Sequence, residues 1–204
     1  MVMQQVITAG GAFMATNVDD IVLLTLLFSR LPHRGRALPL MVGQVLGFSL
    51  LVLISLLGVL GRQALPHGGL ALLGLLPIAL GIRRWQQAGG VDTDPLPTAD
   101  GAHGCPGLTG AGPLAELLGM AGLTLANGSD NIGVYLPLFA QADRSAVTVT
   151  LITFAAALAL WMALAWGLTR TPALAPLLRR YGGALVPAVL ISLGLLILLA
   201  APGG

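Results

Sequence analysis

The sequence predicts an all-α polytopic membrane protein of six transmembrane helices, arranged as two inverted three-helix repeats. Hydrophobic residues make up 56% of the chain, charged residues only 9%, and the mean hydropathy is +0.89, far from a water-soluble norm. Apolar stretches run over Val6–Phe28, Leu38–Leu60, His67–Ile82, Leu114–Ala140, Ala146–Leu168 and Gly182–Ala201. Most reach the ~20 residues that a spanning helix needs, while the third is short. The pattern Asn17-x-x-Asp20 returns as Asn127-x-x-Asp130, and Pro77 returns as Pro187, both at an offset of 110. Three helices per half bring the second half into the membrane from the opposite side, as in many secondary transporters. An offset of 111 instead aligns Asp19-Asp20-Ile21 with Asp130-Asn131-Ile132, and Phe28 with Phe139, so the register is open by one residue.

The first helix has no basic residue before it, and Asp19 and Asp20 interrupt its apolar run. It therefore reads as a retained helix and not as a secretory signal. In the second, Gly43 and Gly47 allow a close helix approach around Gln44, which either reaches an interior site or ties two helices together. Pro77, with Gly74 and Gly81, implies a kinked or closely packed third helix. Residues 85–113 form a flexible cytoplasmic linker between the repeats 1–84 and 114–204. From Arg83 to Pro113 there are seven Gly, four Pro and the acids Asp92, Asp94 and Asp100, a composition that stays flexible. His103 and Cys105 lie in this linker without a recognised metal-ligand spacing. In the fourth helix, Asn127-Gly128-Ser129 and Pro137 mark a point of local unwinding. Trp85, Trp161 and Trp166 mark interfacial levels, with burial in the bundle as the alternative for Trp161.

Charge placement sets the orientation. All ten basic residues besides the histidines are arginines, and eight of them (Arg30, Arg34, Arg36, Arg83, Arg84, Arg170, Arg179 and Arg180) fall in loops on one side. That side is expected to be cytoplasmic, which leaves Arg62, Arg144 and both termini outside. The single Cys105 excludes an internal disulfide.

Thr16, Asn17 and Asp20 on the first helix are spaced to share one face, with Asp19 next to them in the chain, and Thr124, Asn127, Asp130 and Asn131 on the fourth share another; each set offers oxygens to a cation. A carboxylate near a bilayer centre costs at least ~2.5–3.5 kcal/mol, so such acids are functional by default. No Arg, Lys or His lies in these central stretches, and a transported cation or bound protons are the expected counter-charges. The expected metal site is Asp19, Asp20, Asp130, Asn127, Asn131, Asn17, Thr16 and Gln44. The alternative reading is that protonated acids knit the helices together by hydrogen bonds. Met14 and Met41 could add sulfur, although packing is the simpler role for both.

Thr16–Leu24 (TNVDDIVLL), Gly43–Phe48 (GQVLGF), Leu73–Ile82 (LGLLPIALGI) and above all Ala126–Ala140 (ANGSDNIGVYLPLFA) resemble the cadmium-resistance transporter family, usually grouped with the lysine exporter superfamily. The resemblance spans nearly the whole chain outside the linker. It implies a bacterial inner-membrane efflux protein for cadmium and other divalent metals, in which Asp19, Asp20, Asn127, Asp130 and Asn131 take the role of cation site. Oxygen ligands by themselves suit harder cations such as calcium or manganese better.

The expected function is thus proton-coupled secondary export of a divalent cation. No phosphate-binding loop is present, so ATP is not expected to drive it. The expected partners are the lipid bilayer and the metal, with no resident cofactor, no nucleic acid and no enzymatic activity; a homodimer is left open. The alternatives are export of manganese, calcium or an amino acid, and metal binding without transport.

Overall fold

The computed structural model describes residues 2–29, 37–64, 72–73, 75–89, 112–169 and 188–199. The linker acids, His103, Cys105, Pro187, the start of the sixth stretch, and the arginines at 30, 34, 36, 170, 179 and 180 lie outside the described residues. So do the side chains of Asp19, Arg62, Arg84 and Ser129.

The described structure is 95% helix without a strand, so the all-α expectation stands. The helices are α1 (Val2–Ser29), α2 (Ala37–Ser55), α3 (Leu57–Ala64), α4 (Leu75–Gly89), α5 (Pro113–Asn127), α6 (Ser129–Gln141), α7 (Arg144–Leu168) and α8 (Ala188–Leu199). Ala37–Leu60 and Arg144–Leu168 are long and apolar enough to cross a membrane, with mean hydropathies of 2.4 and 2.2. Two expected spans are each broken once. In the second, Leu56 forms a turn, with the Val59 N–H reaching back only to the Leu56 carbonyl. In the fourth, Gly128 separates α5 from α6, and the Asn131 N–H bonds the Gly128 carbonyl at 3.1 Å. The second break falls on Asn127-Gly128-Ser129, where side chains that compete with the helix and a residue without Cβ weaken it together.

Helix ends follow local chemistry. Pro113 opens α5, where its missing N–H costs nothing, directly after Gly112 at φ 108°. Asp143 caps α7, its carboxylate accepting from the Ala146 N–H at 2.7 Å. Pro77 falls in the first turn of α4, a position that tolerates proline without a kink. The same helix runs on to Gly89, past its expected end at Ile82 and into the stretch expected to be linker.

Asn17, Gln44, Glu116, Thr124 and Asn131 are buried, while Leu46, Leu53, Leu57, Leu118, Ile152 and Leu160 are exposed. An apolar surface over a core that also holds polar side chains suits lipid as the solvent. The broadest packing is α2 on α5 and α1 on α7, followed by α3 on α6 and α2 on α6. Glycines set the α2–α5 distance: a Cβ at Gly43 would overlap the Leu117 carbonyl, and one at Gly47 would stand 2.7 Å from Thr124 Cβ and 2.8 Å from the Ala121 carbonyl. A Cβ at Gly58 on α3 would likewise overlap the Leu136 carbonyl of α6. The backbones approach as closely as small residues permit.

Two apolar clusters fill the interior. One is aromatic, with Phe13, Phe48, Tyr135, Phe139 and Phe154; the other holds Leu24, Phe28, Leu40, Met120 and Ala165. Three of the helical spans pass from one cluster to the other through a short polar stretch: Thr16 to Asp20 on α1, Gln44 on α2, and Thr124 to Asn131 across the α5–α6 break, while α7 passes through Trp161. A polar layer therefore separates the two apolar halves.

Candidate cation site

Helical spacing places Thr16, Asn17 and Asp20 on the inner face of α1, and all three are buried. The Asp20 carboxylate reaches both broken helices. Its Oδ1 accepts from Asn127 Nδ2 at 2.6 Å and its Oδ2 from Gln44 Nε2 at 3.3 Å. Gln44 is held from behind, since Thr124 Oγ1 donates to its Oε1 at 2.6 Å, with the Met120 carbonyl as that hydroxyl's other acceptor at 2.9 Å. Of the two roles expected of Gln44, the side chain therefore plays both: it touches the carboxylate and ties α2 to α5.

One turn away, Asn17 Nδ2 has three acceptors for its two hydrogens, the Phe13 carbonyl, Thr16 Oγ1 and Tyr135 Oη, each at 2.8 Å. Asn17 Oδ1 faces Asn131 Nδ2 at 3.5 Å. The Asn131 Oδ1 is buried and has no hydrogen-bond partner among the described residues, an acceptor that a cation could satisfy. The backbone carbonyl of Asn17 also accepts from Trp161 Nε1 at 2.7 Å. This contact puts Trp161 in the bundle interior, the second of its two expected placements.

Asp130 is half-buried in the first turn of α6, where the positive end of the helix dipole favours a carboxylate. The break at Gly128 also leaves the negative, carbonyl end of α5 at the same level, an arrangement that favours a cation. The backbone of Asp19 belongs to α1, but its side chain lies outside the described residues.

The structure thus brings together Thr16, Asn17, Asp20, Gln44, Asn127 and Asn131, with Asp130 at their edge. Met14 is exposed and Met41 packs against the second apolar cluster, so neither joins the polar layer. Tyr135 and Glu116 are buried groups that the sequence does not mark. Tyr135 sits one turn beyond Asn131 inside an apolar run, where an aromatic reads as core. Glu116, near the start of α5, reads as a surface acid placed by the helix dipole, yet it is only 2% exposed. It shares a face with Met120 and Thr124, roughly 16 Å before Asn127 at 1.5 Å per residue.

Chemically, this is an oxygen-rich site built from carboxylate, amide, hydroxyl and phenol. No cluster of three or more His, Cys, Asp or Glu side chains suited to a metal occurs among the described residues, so ligation would fall to amide oxygens around two acids. Amides suit this task, because turning one end for end exchanges an N–H donor for an oxygen acceptor at nearly the same place. A carboxylate held by amide donors when empty can be joined by amide oxygens around a cation.

Among known families, the model of the cadmium resistance transporters matches residues 13–203, nearly the whole chain and all of this polar layer. No curated protein and no solved structure matches.

Proposed function

The chain belongs to the cadmium resistance transporter family, and from that premise we propose that it exports Cd2+ or a related divalent cation through the polar layer around Asp20. One observation carries this reading: a carboxylate buried within an apolar bundle is held by the side-chain amides of Asn127 and Gln44, and each of these can turn an oxygen toward a cation. Asp130, Asn17 and Asn131 complete the ligand set, with Asp19 as a further acid from α1. The protein is a membrane protein of a transporter class and not of an enzyme class. We place it in the bacterial inner membrane with both termini outside, on the arginine distribution.

The two-repeat architecture is supported by how the contacts pair. A one-residue insertion at the Gly128 turn relates the first helix of each half: Asn17 corresponds to Asn127 at an offset of 110, and Asp20 to Asn131 at 111, while the return of Pro77 as Pro187 at 110 requires the insertion to be offset later in the repeat. Exchanging the halves then carries the Asn127–Asp20 contact onto the Asn17–Asn131 contact. It likewise carries the packing of α1 on α7 onto that of α5 and α6 on α2.

The same packing bears on the motion. Rocking one sequence half against the other would separate α2 from α5 and α1 from α7, the broadest contacts in the bundle. The moving bodies are therefore the exchanged pairs, α2–α3 with α5–α6 and α1 with α7. The Asp20–Asn127, Asp20–Gln44, Asn17–Asn131 and Thr16–Tyr135 contacts cross between these bodies, while Thr124–Gln44 and Trp161–Asn17 lie within them. A cation that engages the crossing amides loosens one set of contacts and forms another, which shifts the equilibrium between states.

Moving a divalent cation outward against the membrane potential costs ~4.6 kcal/mol per 100 mV, twice the single-charge value. Exchange with protons is the economical source, because metal and proton compete for the same carboxylate oxygens. Cd2+ counterflow in proteoliposomes loaded with a pH-sensitive dye tests both parts. Exchange of labelled Cd2+ accompanied by opposite proton movement is expected, and binding without counterflow would overturn the transport reading.

A further inference from the structure

Tyr135 has no place in the ligand set, yet its hydroxyl is built into it. The side chain is wholly buried. Its ring packs on Phe154 at a centroid distance of 4.5 Å and on Phe48 at 6.1 Å, so the phenol oxygen is carried by a rigid aromatic cluster. That oxygen stands 2.7 Å from Thr16 Oγ1 and 2.8 Å from Asn17 Nδ2.

Counting hydrogens fixes the direction of each bond. The NH2 end of Asn17 is ringed by three acceptors: the Phe13 carbonyl, Thr16 Oγ1 and Tyr135 Oη. Thr16 has one hydrogen, with the Ala12 and Phe13 carbonyls at 3.0 and 3.3 Å to accept it. Tyr135 has one hydrogen, and of its two polar neighbours only Thr16 Oγ1 can accept it, because Asn17 Nδ2 is a donor. Both hydroxyls thus spend their hydrogens elsewhere and turn lone pairs toward Asn17. Rotating the Asn17 amide would press its oxygen against the Phe13 carbonyl and leave the lone pairs of Tyr135 and Thr16 without a donor, so these three acceptors together hold the NH2 end in place. Asn17 Oδ1 is thereby turned to the opposite side, toward Asn131, whose own buried oxygen has no hydrogen-bond partner among the described residues.

Resting on the cation-site reading above, we infer that Tyr135 is a positioning residue: by holding the NH2 end of Asn17, it presents the Asn17 oxygen to the cation before the cation arrives. Preorganisation of this kind raises affinity by removing the ordering cost from the binding step. Metal sites depend on such outer partners nearly as much as on the ligands themselves.

The experiment is equilibrium binding of Cd2+ to the purified full chain in detergent, in a double-mutant cycle. Tyr135→Phe keeps the ring and its packing and removes only the hydroxyl. It is expected to weaken binding by about 10- to 100-fold, the usual range for an outer partner of a metal ligand. Asn17→Ala removes the amide that Tyr135 holds, so no orientation remains to be fixed. In that background Tyr135→Phe is expected to change nothing. An equal loss in both backgrounds would make Tyr135 a merely structural residue and overturn the inference, as would no loss in the parent. If Tyr135→Phe does not fold, Thr16→Val removes the acceptor of the phenol hydrogen and is expected to weaken binding by several-fold; an unchanged affinity would count against the inference. Asp20→Asn separates the two levels. Undiminished binding there sinks the site itself, whereas loss there with Tyr135→Phe unaffected sinks only the role of Tyr135.

Discussion

Replacing Gly47 with Ala adds one methyl group at a close contact between α2 and α5. The new Cβ would stand 2.7 Å from Thr124 Cβ and 2.8 Å from the Ala121 carbonyl oxygen, where carbon atoms need about 3.5–4.0 Å. Because the Ala121 oxygen is backbone, it cannot turn aside, and the two helices must part by about 1 Å. That displacement stretches the Thr124–Gln44 hydrogen bond from 2.6 Å past the roughly 3.0 Å limit of an O–H···O bond. The bond contributes about 1 kcal/mol net, the overpacking costs about 1–3 kcal/mol, and the better helix propensity of Ala returns about 0.5–1 kcal/mol. Net destabilisation of about 1–3 kcal/mol is expected, together with a loosened Gln44 and weaker Cd2+ transport. Gly122→Ala is the matched control, since a Cβ there meets nothing within 4 Å; it should be neutral or slightly stabilising. Denaturant unfolding in mixed micelles and Cd2+ uptake into inside-out vesicles read the two effects. Gly47→Ala that unfolds and transports like the parent, or Gly122→Ala that is equally damaged, would refute the reasoning.

The pairing of moving bodies is tested by cross-links in a chain carrying Cys105→Ser. Phe13 and Phe48 touch across the two bodies at a centroid distance of 5.4 Å, and Phe28 and Trp166 touch within one body at 5.6 Å. Joining cysteines at the first pair should stop transport until reduced, and joining the second should not; identical outcomes for both would contradict the pairing. The oxygen-only ligand set predicts that Ca2+ and Mn2+ compete with Cd2+ for binding. Competition from thiophilic cations alone would show that sulfur supplies the site.

Much of this was legible in the chain. The apolar runs mark the helices, and Asn127-Gly128-Ser129 marks the break in the fourth, because local side-chain competition and the missing Cβ act within a few residues. The break at Leu56 carries no such signal: Ser55-Leu56-Leu57 reads as continuous helix, and the neighbouring Gly58 shows its purpose only when α6 is seen against it. Thr16, Asn17, Asp20, Asn127 and Asn131 could be grouped because helical periodicity places them on shared faces. Which of them touch could not, since the Asp20–Asn127 contact depends on how two helices 107 positions apart in the chain pack. Tyr135 and Glu116 escaped for another reason. An aromatic within an apolar run and an acid near a helix start each have an ordinary explanation, and only burial removes it.

The central claim is that the Asp20 and Asp130 carboxylates hold the exported cation, and Cd2+ counterflow in proteoliposomes with each acid replaced singly by Asn tests it most directly. Asn keeps the size and removes the charge. The account predicts that Asp20→Asn and Asp130→Asn are inserted at parental levels yet lose Cd2+ exchange; exchange at the parental rate in both would contradict it.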